Sequence, residues 1–233
     1  MTNILPSPFS WIEIPASAHL PAYSIAKYPV TNAQFALFIE AGGYDQPRWW
    51  ISQGWQARVE EGWTQPRSWQ ASAWNGADQP VVDVCWYEAA AFCLWLSDVT
   101  GESIMLPTEQ QWQYAAQGEG GRVYPWGDTW DCTRCNNSVS PCDSKITTLV
   151  TQYKGLGDSP FGVVDIVGNV WEWCLTDYDT LTNDLHSEAN FRVIRGGAWS
   201  ERDPQMFRCD FRSGAAVDDS SRSFGFRIAV YTI

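Results

Sequence analysis

Three of the seven cysteines, Cys132, Cys135 and Cys142, fall in one loop, and they are the first residues to weigh for chemistry. Three thiols without a nearby histidine make an incomplete tetrahedral zinc site. The C-x-x-C step is also the spacing of a redox pair, and ordinary free thiols are the third reading. Cys85, Cys93 or Cys174 would have to complete a metal site in space. The two histidines, His19 and His186, lie far apart and belong to no helical ligand motif. There is no G-x-S-x-G nucleophile elbow and no phosphate-binding glycine loop. The run D-I-V-G-N-V-W-E-W (165–173) offers something different: Asp165 and Glu172 carry hard anionic oxygens, and Gly168 lets the backbone turn its carbonyls towards one point. Such oxygens suit calcium rather than zinc; the alternative is that both carboxylates only cap turns.

A second set lies near the end of the chain. Between R-G-G-A-W (195–199) and F-G-F-R (224–227) stand Trp199, Ser200, Glu201, Arg202, Asp203, Gln205, Phe207, Asp210, Phe211, Gly214, Ser220, Arg222 and Ser223. This mixture fits either a solvent-facing loop or a ligand-binding surface on which Phe207 and Phe211 are exposed anchors. Arg195 and Arg227 sit beside glycines in strand-like runs, where a guanidinium ties irregular backbone together.

The elements that must position these groups are short. Thr31 or Asn32 caps a helix whose apolar face is Phe35, Phe38 and Ile39. Residues 44–76 carry six tryptophans among prolines and glycines and read as an irregular, indole-packed excursion. The clearest helix spans 80–101, with Ala89, Phe92, Cys93, Leu96 and Val99 on one face and Gly101 at its end. Thr108 and Gln111 form a capping box that opens another helix. Short β-type runs follow at 190–199 and 224–231, giving an α+β class and one domain over residues 1–233.

Composition narrows the partners. Fifteen tryptophans, 18 glycines and 13 prolines describe a loop-rich chain held by aromatic packing. A net charge of −12 without any basic run excludes a nucleic-acid partner. No apolar run reaches the ~20 residues of a membrane span, and the start of the chain lacks the form of a signal peptide. A monomer in a reducing, cytoplasmic setting is expected.

Six blocks in order, YPVTNAQF (28–35), LPTEQQW (106–112), YPWG (124–127), FGVVDIVGNVWEW (161–173), RVIRGGAW (192–199) and FGFRIA (224–229), together resemble the formylglycine-generating enzyme superfamily. The resemblance implies a variant of the C-type lectin fold with little regular structure and structural calcium. It implies one calcium on Asp165, Glu172 and the carbonyls of Gly168 and Val170, and another on Asn137, Ser138 and Asp143. The oxidases of that family hold copper on two cysteines just after the Gly-Gly strand, where this chain has Glu201 and Gln205 or Met206. Glu and Gln do not replace two soft thiolates. Cys209 fits a structural position of the family, but the expected partner position, near Ala116, is no cysteine. The C-terminal segment is also similar to the variable proteins of diversity-generating retroelements. That likeness implies a variable region over 192–230 that binds a protein or other macromolecule. The alternative is a formylglycine-generating or sulfoxide-synthase-type oxidoreductase with a displaced or lost site.

Overall fold

The computed structural model describes residues 4–231. Its strands are β1 (Trp11–Ile14), β2 (Tyr23–Ala26), β3 (Ile104–Met105), β4 (Trp171–Asp177), β5 (Phe191–Arg195), β6 (Ser213–Ala216), β7 (Phe224–Gly225) and β8 (Ala229–Tyr231). They form two four-stranded sheets, ordered β1-β2-β8-β3 and β6-β5-β4-β7. All pairs are antiparallel except β4 with β7. Because β8 pairs with β2, the two ends of the chain are stitched together. Residues 226–228 cross from one sheet to the other, and Phe226, Arg227 and Ile228 are fully buried there.

Among the described residues, four α-helices pack on this frame: α1 (Asn32–Glu40), α2 (Ser52–Glu61), α3 (Trp86–Thr100) and α4 (Glu109–Gln117). Both expected caps are present. Thr31 accepts from Gln34 N while Gln34 reaches back to Thr31 N, and Thr108 and Gln111 repeat the arrangement. Each box satisfies two of the amide groups that a helix start leaves without partners. Phe35 and Phe38 are buried as expected, whereas Ile39 is half-buried. Phe35 stacks on Phe92 with centroids 5.5 Å apart, joining α1 to α3.

Three details differ from the sequence expectation. The excursion at 44–76 contains α2, a polar helix with no side-chain cap whose only buried residue is Gly54. Gly54 lies so close to Tyr87 that a Cβ would come within 2.9 Å of that ring. Next, α3 begins at Trp86 rather than at 80, since Pro80 bridges to Thr31 in extended form. Finally, Val99 is exposed because the last turn of α3 emerges from the core. Among the described residues no helix is long and apolar enough to cross a membrane.

Candidate functional site

Buried arginines build the frame of the site. Arg227 donates from Nε and Nη2 to the two oxygens of Glu172, at 2.6 and 2.7 Å, and from Nη1 to Ala26 O at 3.0 Å. Glu172 also accepts from Trp112 Nε1 at 2.7 Å. Arg195 donates to Phe211 O at 2.8 Å, Cys209 O at 3.2 Å and Gln113 Oε1 at 3.0 Å. Both therefore scaffold backbone, as their fork of donors allows. Arg192, which sequence reasoning missed, does the same from the opposite face of β5. It donates to Leu175 O at 2.6 Å, and its guanidinium carbon lies 4.0 Å from the Trp86 ring centroid. The odd spacing within R-V-I-R was the available signal, since it puts the two arginines on opposite faces.

The C-terminal segment hangs from this frame and divides in two. One part is core. Phe207 is fully buried and stacks on Trp130 at 4.9 Å, so it is no exposed anchor. The 3-10 turn Pro204–Phe207 rolls it inward against Gly197 (φ 73), where a Cβ would sit 2.8 Å from the ring. Gly214 is likewise packed rather than displayed, since a Cβ there would come within 2.7 Å of Tyr178. Phe211 is half-buried and tilted on Trp171 at 6.1 Å.

The other part gathers at the surface. Trp199 Nε1 donates to Arg222 O at 3.1 Å, and the Ser200 and Ser223 hydroxyls meet at 3.1 Å. Glu201 accepts from Trp171 Nε1 at 3.0 Å. Arg222 donates to Ser68 Oγ at 3.0 Å, lies 3.7 Å from the Asp83 carboxylate and covers the Trp74 ring at 5.3 Å. Trp74 in turn sits 5.5 Å from Trp199. The tryptophan-rich excursion thus brings Trp74 and Ser68 to this face, which no local sequence signal indicated. Ser220 joins Asp83, Asp218 and residues 61–67 in lining a cavity of about 320 Å³. Arg202, Asp203 and Gln205 are exposed, and Asp210 forms a two-pronged pair with Arg208 at 2.8 Å.

The two expected calcium sites fare differently. Asp165, held at φ 55, is buried; its Oδ2 accepts from Asn169 at 2.7 Å, while Oδ1 has no partner. Burial pushes its pKa up to about 8. An orphaned carboxyl oxygen beside the Gly168–Val170 turn, ionised once a cation displaces its proton, fits a hard cation. Glu172 fits less well, because Arg227 and Trp112 already engage both its oxygens. At the other site the Asn137 amide donates to Cys132 O and Cys135 O, and the Ser138 hydroxyl lies 2.8 Å from Ser144 O. The Asp143 carboxylate faces solvent and pairs with Lys145 at 2.6 Å, so these three side chains do not converge. Among the described residues no group of three or more His, Cys, Asp or Glu is arranged to hold a metal ion.

The cysteine cluster is neither a zinc site nor a Cys132–Cys135 pair, and the free-thiol reading holds for Cys135 alone. Cys132 and Cys142 form a disulfide, with Cα atoms 6.1 Å apart. Cys135 is buried apart from them, 3.6 Å from Asn137 Nδ2, and burial raises its thiol pKa. That removes both the zinc site and the Cys132–Cys135 redox pair. Cys85, Cys93, Cys174 and Cys209 are free and buried, with Cys209 in the same apolar cluster as Ala116. Both histidines are exposed.

Comparison with known proteins now adds to this geometry. Residues 13–232 match the sulfatase-modifying factor enzyme 1-like domain. A hercynine oxygenase of Mycolicibacterium smegmatis is 30% identical over 226 residues, covering 83% of this chain and 49% of that protein. The inactive C-alpha-formylglycine-generating enzyme 2 of Bos taurus is 33% identical over 163 residues, covering 64% and 50%. The chain spans about half the length of these two relatives. Treponema denticola variable protein 1 superposes with a TM-score of 0.64 at 19% identity, over 95% of this chain and 91% of that one. The fold is therefore the α+β, C-type lectin-like fold of formylglycine-generating enzymes.

Proposed function

The chain belongs to the family of sulfatase-modifying factor enzyme 1-like domains, and from that premise we propose that it is a non-catalytic binding module. Its receptor face is the surface built from residues 199–223 together with Trp74 and Ser68. The observation that carries this reading is the division within one segment. Phe207 and the carbonyls of Cys209 and Phe211 are locked into the core by Trp130 and Arg195. Trp199, Ser200, Glu201, Arg222 and Ser223 gather around mutual contacts nearer the surface, which supports a contact role for them. A rigid frame with a polar and aromatic skin suits a protein or other macromolecular ligand, since aromatic and arginine side chains dominate binding energy. Within segment 192–230 only the surface positions between 199 and 223 are then open to diversification, since Arg192, Arg195, Phe207, Phe226 and Arg227 are core.

The oxidoreductase reading has the hercynine oxygenase relative in its favour. Against it stand Glu201 and Gln205 or Met206 where the family's copper thiolates belong. A structural calcium at Asp165 completes the proposal; when bound it would neutralise the orphaned Oδ1 and tie the Gly168–Val170 turn. The test of the non-catalytic reading uses copper and a cysteine-containing sulfatase peptide. The peptide mass is expected to stay unchanged, and an aldehyde product above the no-protein control would overturn the reading.

A further inference from the structure

The disulfide closes the loop whose Ser138 meets the backbone of Trp199 and Glu201. Cys132 and Cys142 are separated by 10 residues, and both are half-buried rather than sealed. Inside the loop they close, Asn137 Nδ2 donates to Cys132 O and Cys135 O at 2.8 Å each, fixing the turn that presents Ser138. Ser138 then reaches the receptor segment at two points, its single hydroxyl proton being shared between Ser144 O and Trp199 O. Its N–H donates to Glu201 O at 2.9 Å, and its hydroxyl lies 2.9 Å from Trp199 O. Trp199 and Glu201 are the residues that engage Arg222 and Trp171. On its outer side Cys142 lines a cavity of about 520 Å³ with Ser138, Ser140, Asp143, Lys145 and Arg202. Lys145 is paired with Asp143 at 2.6 Å, which leaves Arg202 as the cation of that cavity outside the pair.

We propose that Cys142 is an exchange site for a small anionic thiol, and that its bond to Cys132 latches Trp199 and Glu201 in place. Arg202 draws the thiolate in, and it attacks Cys142 Sγ from the cavity that Cys142 lines. The new sulfur–sulfur bond forms as the Cys142–Cys132 bond breaks, and Cys132 leaves as a thiolate that takes a proton from water. A second thiol attacking the mixed disulfide releases the oxidised small-molecule disulfide and Cys142 as a thiol, a two-electron reduction overall. Cys135 takes no part, because burial keeps it a protonated, inaccessible thiol. Opening the loop returns conformational freedom to the turn at 137–138, so the grip on Glu201 and Trp199 loosens. That this loosening weakens ligand binding rests on the receptor reading; the exchange and the loosening do not.

The experiment treats the chain with glutathione, and separately with dithiothreitol, and follows peptide masses and amide hydrogen exchange. The expected adduct is on Cys142 and not on Cys132. Amides of Ser138, Trp199 and Glu201 should exchange faster by on the order of tenfold to a hundredfold after reduction, while those of β4 and β5 stay unchanged. A Cys132→Ser/Cys142→Ser chain should show the fast exchange without reductant; if it does not fold, the dithiothreitol-treated native chain carries the same measurement. An adduct on Cys132, no adduct, or unchanged exchange after full reduction overturns the proposal. Faster exchange with undiminished binding of a screened ligand would keep the latch and sink the receptor reading instead.

Discussion

Asp165 is the residue where burial has its plainest consequence. Its folded pKa of about 8 lies far above the ordinary carboxylate value of roughly 3.9. In chelator the folded chain therefore holds a proton that the unfolded chain releases. The corresponding stability is complete below about pH 4 and is lost as pH rises through about 8. A bound calcium takes the place of that proton. Melting temperature in chelator should thus fall between about pH 5 and pH 8 and hold steady with calcium, and Asp165→Asn should respond to neither. Equal melting temperatures with and without calcium at about pH 8 would count against the site. Glu172→Gln should instead cost about 3–5 kcal/mol in both conditions, because it strands the buried Arg227. The string D-I-V-G-N-V-W-E-W made the anionic oxygens legible. It did not show that Arg227 claims Glu172, because that contact spans 55 residues and depends on the crossing between the sheets.

At the scale of elements, legibility followed how local the signal was. The cap at Thr108 was readable because donor and acceptor lie three residues apart, whereas at the first helix Thr31 and Asn32 both stood as candidates until the structure chose Thr31. Helix α2 was not, since it has no side-chain cap and buries only Gly54. The Cys132–Cys142 bond was hidden because Cys135 is the nearer neighbour in sequence, and loop folding rather than spacing chose the partner. Phe207 looked displayed for a related reason: a short 3-10 turn, too brief for any periodicity, turns it into the core. Phe207→Ala should therefore cost about 3–5 kcal/mol in chemical denaturation, whereas Arg202→Ala should stay within about 0.5 kcal/mol. A Phe207→Ala chain of native stability would return that residue to the surface.

In the whole molecule, pairing of β2 with β8 closes the ends of the chain over a core that carries Arg192, Arg195 and Arg227 inside it. That closure lets the surface between 199 and 223 change while the frame holds. The most direct measurement compares the native chain with a Glu201→Ala/Arg202→Ala/Asp210→Ala/Arg222→Ala chain on peptide and glycan arrays, with melting temperatures measured in parallel. The account predicts that the fourfold variant folds cooperatively and melts below the native chain by no more than the loss of the Glu201–Trp171 and Arg222–Ser68 hydrogen bonds, about 1 kcal/mol each. It also predicts loss of at least about tenfold in affinity for the ligand that the native chain selects, the ~1.4 kcal/mol of one lost anchor. A fourfold variant that folds and binds with undiminished affinity would contradict it.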